Sequence, residues 1–194
     1  MAAAELSRRR RARRRWLPAN VRRTWLCAYT GVWATTLTST AVVGLVGRPL
    51  ATPTRCLLGL TLSAQRNPPP QLGHIMALAT HNIPIASWPL LLGVLGAHRH
   101  RFSKHLADGL VVACIILNTL PVGAALGAYG TVVLPYVPQL PFEWAGLALG
   151  AGAWITQRNR HGVTPTGERV ATLAMIVIAM TCAAVLETFT VPHR

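Results

Sequence analysis

Long uncharged, apolar intervals alternate with short basic ones along this chain. No Asp, Glu, Lys or Arg occurs from Thr24 to Gly47, from Asn67 to His98, from Gly109 to Phe142, or from Val170 to Leu186. A bilayer core needs about 20 consecutive, mostly apolar residues per helix, and these intervals match that length. A fifth stretch, Trp144 to Gln157, reaches it once Glu143 and the residues before it are counted. The pattern predicts an all-α, polytopic membrane helix bundle with about five transmembrane helices, near 25–47, 72–96, 106–128, 138–156 and 170–189. Residues 1–24 form a basic tail, residues 25–194 an integral membrane helical domain, and 48–71 an outer loop. Five such helices leave little chain for a folded soluble domain.

Composition points the same way. Of 194 residues, 52% are hydrophobic and only 12% are charged, whereas soluble domains carry about 25% charged residues. The 16 Gly and 14 Pro suit membrane helices, in which both are commoner than in soluble ones. A soluble globular enzyme is disfavoured.

Charge sets the expected orientation. Lys and Arg number 19 against 5 Asp and Glu, and cytoplasmic loops are the ones enriched in basic residues. Nine Arg precede the first helix, which keeps the N-terminus inside. Alternation then puts Arg99, Arg101 and Lys104 inside, together with Arg158, Arg160 and Arg169, and leaves Arg48, Arg55, Arg66 and Arg194 outside. The expectation is N-in and C-out.

The tail residues Arg8, Arg9, Arg10, Arg11, Arg13, Arg14 and Arg15 could neutralise nucleic-acid phosphates. Their place directly before a span favours contact with the anionic inner leaflet, where each basic residue gains about 1 kcal/mol. Nucleic acid is therefore the lesser reading. An export signal is a third, but the interval to Gly47 is long for one and no A-x-A site follows.

Cys27, Cys56, Cys114 and Cys182 form no CxxC pair, so they read as small packing residues rather than ligands or a disulfide framework. In the outer loop, Cys56, Leu57, Leu60 and Ala64 would share one face of a short interfacial helix, which Pro68 to Pro70 would end. His98 and His100 sit among cations without an acidic partner, a poor place to bind a metal.

Polar side chains within spans are costly and face a protein interior or a wet cavity. The candidates are His81 and Asn82 in the second helix, Asn118 in the third, Glu143 opening the fourth and Glu187 near the end of the fifth. In the expected topology both Glu fall toward the outer side and the others near mid-depth, so a polar cluster opening outward is expected. Pro84, Pro89 and Pro121 deprive the carbonyls of Thr80, Ile85 and Leu117 of their donors. Such freed carbonyls serve ion or substrate sites in some transporters, although a structural kink is the commoner outcome. His81 has no HExxH, GxSxG or paired Asp around it, and His74 one heptad earlier adds little. No cofactor, metal or catalytic set is expected. Gly123 and Gly127 form a G-x-x-x-G, and Gly146 and Gly150 thin the next helix. Small faces of this kind let helices approach closely, building the bundle first and a homo-oligomer second.

Residues 72–192 resemble the stage II sporulation protein M family of multispanning membrane proteins. The matching features are His81 and Asn82 in ATHNIPIA, and Asn118 leading the glycine-rich NTLPVGAALG. Pro138 and Glu143 in PQLPFE match a Pro-His-Gly-x-x-Glu motif, with Gln139 and Leu140 in place of its His and Gly. Glu187, Phe189 and Pro192 in ETFTVP match a closing Glu-x-Phe-x-x-Pro. The resemblance implies a noncatalytic membrane subunit that scaffolds or recruits envelope-remodelling partners, as in sporulation. Related proteins accompany bacteriocin production, export or immunity, which keeps a transport, export or immunity subunit beside a separate ATPase as the alternative. An intramembrane enzyme is the third reading.

Overall fold

A computed structural model describes residues 19–58, 71–97, 99–160 and 164–190. Among them all regular structure is helical: α1 (Ala19–Val46), α2 (Arg48–Leu58), α3 (Leu72–Val94), α4 (Arg101–Tyr129), a 3-10 turn (Gly130–Tyr136), α5 (Leu140–Asn159) and α6 (Thr166–Thr190). Arg8 to Arg15 lie outside the described residues, as do Leu60, Ala64, His98 and Pro192. Three segments are long and apolar enough to cross a membrane: Leu72–Val94, Arg101–Tyr136 and Thr166–Thr190.

Helix ends follow local chemistry. Gly47 and Gly130 adopt φ of 68° and 59° after α1 and α4, the left-handed region that side chains resist and glycine enters freely. Pro141 opens α5, where its missing N–H costs nothing. Pro84, Pro89 and Pro121 lie inside helices that continue through them.

Registers of contact fix the helix directions. Gly123 and Gly127 meet the backbone of Thr36 and Thr40, so α1 and α4 run parallel. Gly150 meets Ala86, and Gly93 meets Gln157, so α3 and α5 also run parallel. Thr24 bonds Thr156 across α1 and α5 at 2.9 Å, and Trp25 abuts Gly152, which makes that pair antiparallel. Arg22, Arg23, Arg99, Arg101, Lys104, Arg158, Arg160 and Arg169 consequently share one end of the bundle. Arg55 lies at the other end.

Helix α5 is the centre. Every residue from Gly146 to Trp154 is buried, and the helix packs against α1, α3 and α6. Its glycines decide how closely. A Cβ at Gly150 would overlap the Ala86 carbonyl oxygen, and one at Gly152 would stand 3.1 Å from the Trp25 Cα. A Cβ at Gly146 would meet only the flexible end of Met180. On α4, a Cβ at Gly123 would overlap the Thr36 carbonyl oxygen, and one at Gly127 would lie 2.6 Å from that of Thr40.

Large apolar side chains lie on the outside of the bundle as well as in its core, where Trp144, Trp154, Leu147 and Ile176 are buried. Thr36, Thr119, Thr156, Gln157, Thr172 and Thr188 are buried with many Ala, while Leu37, Leu45, Leu110, Leu117, Val170, Ile178 and Phe189 are exposed. The threonine hydroxyls are satisfied within their own helices, as in Thr36 to Val32 O at 3.0 Å and Thr119 to Ile115 O at 2.8 Å, so these hydroxyls pack between helices without being stranded. This explains why α1 and α5 are less apolar than the three other long helices. Threonines on α1 and the Gly-Ala surface of α5 are spent on contacts between helices.

Short helix α2 folds back on α4. Leu50 and Ala51 pack against Val43, Ala124 and Ala128, and Arg55 donates from Nε and Nη2 to the Ala128 carbonyl while stacking 5.2 Å from the Tyr129 ring centroid. A cation at a helix C-terminus satisfies carbonyls that the helix itself leaves free.

Candidate polar cavity of the bundle

Asn82, Asn118 and Glu143 come together. With Ile85, Trp144, Leu147 and Met180 they line a cavity of about 60 Å³ between α3, α4, α5 and α6. Helical spacing puts them there. Asn82 lies three residues after buried Ala79 and four before buried Ala86, on the stripe α3 turns inward. Asn118 sits seven after buried Val111, and Glu143 one turn after Leu140 and one before Leu147, both buried on α5.

Within the cavity few polar atoms are partnered. The Asn118 amide donates from Nδ2 to the Cys114 carbonyl at 2.7 Å and approaches Cys114 Sγ at 3.6 Å, which leaves its Oδ1 uncommitted. The side chains of Asn82 and Glu143 make no hydrogen bond to any described residue. Trp144 is only 2% exposed, and its indole N–H has no acceptor among the described residues.

The other two candidates are placed differently. Glu187 follows Met180 by two helical turns on the same side of α6 and lies within electrostatic reach of Glu143 and His74, beside the cavity rather than lining it. His81 is exposed, one residue and about 100° around the helix from Asn82, and bonds no described side chain. Among the described residues no three His, Cys, Asp or Glu side chains converge as metal ligands would. All four cysteines are free.

A second constellation was not marked out by any motif. Asp108 on α4 accepts from Trp154 Nε1 at 3.0 Å, and its two carboxylate oxygens lie 2.8 and 2.9 Å from Arg158 Nε. It stands at the end of a cleft of about 460 Å³ whose walls are α1, α4 and α5, including Ala28, Val32, Val111, Ile115 and Ala151. Nearby, Arg160 Nη1 meets Glu168 Oε2 at 2.7 Å. The signal available in the sequence was charge pairing: Asp108 and Glu168 each lie within the basic intervals, whereas Glu143 and Glu187 do not.

Comparison with known proteins finds no matching family model, curated protein or solved structure.

Proposed function

We propose that the chain is a multi-pass subunit of the bacterial inner membrane that acts without catalysis, by scaffolding or recruiting a partner complex. One observation carries the membrane part: many large apolar side chains, among them Leu37, Leu110, Leu117, Ile178 and Phe189, face outward, while buried threonines and the small residues of α5 share the helix contacts with Trp144, Trp154, Leu147 and Ile176. That is the arrangement expected where the solvent is lipid and association comes from close packing of small residues. In this proposal α1, α3, α4, α5 and α6 all span. Helix α1, at 28 residues, and α5, at 20, are each long enough at 1.5 Å per residue for a core of about 30 Å. The gathering of Arg and Lys at one end supports N-in and C-out.

The scaffolding role is drawn from the sequence resemblance of residues 72–192. Lipids with anionic headgroups on the inner leaflet and membrane or envelope proteins are the proposed partners, with self-association secondary. The alternative, a transport, export or immunity subunit, is favoured by one feature, the cavity of Asn82, Asn118 and Glu143.

Gentle purification with identification of co-purifying proteins separates the two. A wall-remodelling hydrolase supports scaffolding; an ATPase or a peptide supports transport. A reporter fused after Arg194 should give the external signal, and a cytoplasmic signal there would overturn the span count or the orientation.

A further inference from the structure

We propose that the cavity of Asn82, Asn118, Glu143 and Trp144 is a binding site for a small alkali cation accompanied by a water molecule. The cavity measures about 60 Å³, above the roughly 10–15 Å³ that a single water needs. Its polar atoms lack protein partners. Glu143 and Asn82 make no side-chain hydrogen bonds among the described residues, Asn118 Oδ1 is left over once Nδ2 is committed to Cys114, and the indole N–H of 98%-buried Trp144 is orphaned. Buried polar groups without partners are expensive; Trp144 Nε1 is such a group among the described residues, and the uncommitted carboxylate and amide oxygens of the half-buried Glu143, Asn82 and Asn118 that line the cavity beside it call for a polar occupant.

The charge of that occupant follows from the surroundings. Glu143 supplies a carboxylate, and the two amides and the indole are neutral. Among the described side chains the cations gather at the opposite end of the bundle, and the one in this half, Arg55, is engaged with Ala128 and Tyr129. The remaining titratable groups nearby are Glu187, which lies within electrostatic reach of His74, and exposed His81. A single positive charge is therefore what the cavity lacks. Glu143 and the Asn carbonyl oxygens are hard oxygen donors of the kind alkali and alkaline-earth cations take, and the single carboxylate matches a monovalent ion. The Trp144 N–H repels a cation but suits the oxygen of the accompanying water.

The proposal rests on the membrane reading, because only exclusion of bulk water makes the unpartnered groups costly. It is tested on the isolated full-length protein in lipid nanodiscs, without any partner, so failure here and failure of the scaffolding or transport readings are separate results. The midpoint of thermal unfolding is followed while Na⁺ replaces N-methylglucamine at constant ionic strength, at two pH values. The midpoint should rise with Na⁺ and saturate. Glu143→Gln should abolish the rise, whereas Glu168→Gln, the same charge change at the opposite end, should keep it. Asn82→Ala and Asn118→Ala, which retain the carboxylate, should each demand about tenfold more Na⁺ for half the effect. They decide the matter should Glu143→Gln not fold. An unresponsive wild type, an unchanged response in the Asn variants, or a midpoint that follows pH and ignores Na⁺ overturns the proposal.

Discussion

Asp108 and Arg158 hold α4 and α5 together at the basic end of the bundle, with Arg158 Nε 2.8 Å from the Asp108 carboxylate and Trp154 donating to the same group. About a quarter of the Asp108 side chain and a third of that of Arg158 remain accessible, so the pair lies between the exposed and buried extremes. Asp108→Asn keeps the shape and removes the charge. The expected cost is about 1–3 kcal/mol, seen as a lower thermal midpoint in detergent, and the Asp108→Asn/Arg158→Gln double variant should lose less than the sum of the single changes. Strict additivity would mean that the two groups do not interact.

Close approach of α3 and α5 depends on Gly150. Its added Cβ would overlap the Ala86 carbonyl oxygen, a backbone atom that cannot rotate away. Gly150→Ala should therefore cost about 3 kcal/mol or prevent assembly of the bundle. Gly146→Ala, which meets only the Met180 methyl, should be tolerated. Equal folded yields of the two variants by size-exclusion chromatography would contradict the packing.

Gly31 and Gly109 are helical, and nothing lies within 4 Å of a Cβ added to either. Alanine at these sites should raise stability by up to about 0.5–1 kcal/mol, because glycine loses more backbone freedom in a helix than alanine does. Thermal unfolding beside wild type checks this, and a loss at either site would show that the face is occupied in the membrane.

Arg55 ties α2 to the end of α4. Arg55→Ala should loosen α2, with amides over Arg48–Leu58 exchanging hydrogen about tenfold faster while those of α5 stay unchanged. Uniformly faster exchange in every helix would instead give Arg55 a global role.

Cys27 and Cys56 are both exposed but should meet different surroundings. On the proposed orientation, in which α1 spans and α2 lies outside, a membrane-impermeant maleimide added to intact spheroplasts should label Cys56 and leave Cys27 unmodified. Labelling of Cys27 alone would reverse the proposed orientation.

Helical organisation was legible from charge spacing because a long uncharged run admits few alternatives in a chain this apolar. The ends were less so. Helix α1 begins at Ala19 and α4 at Arg101, each several residues before the apolar run, because a helix continues through basic residues once its backbone bonds are formed. The stretch before α5 forms a 3-10 turn where a loop was expected. Asn82, Asn118 and Glu143 were legible as misplaced polar residues. That they share one cavity while His81 turns away required the rotation of each helix about its own axis.

Composition and spacing by themselves determined that this is a helical chain built for an apolar surrounding, with its basic residues separated from its apolar runs. These properties are local: they follow from which residues can leave water and which cannot. Only the tertiary structure decided which helix is central, which glycines touch backbone, and which acids find a cation. Asp108 and Glu168 meet Arg158 and Arg160, while Glu143 shares a cavity with Asn82, Asn118 and Trp144. Such pairings depend on helix direction and register, and side chains far apart in sequence acquire those relations only when the bundle closes.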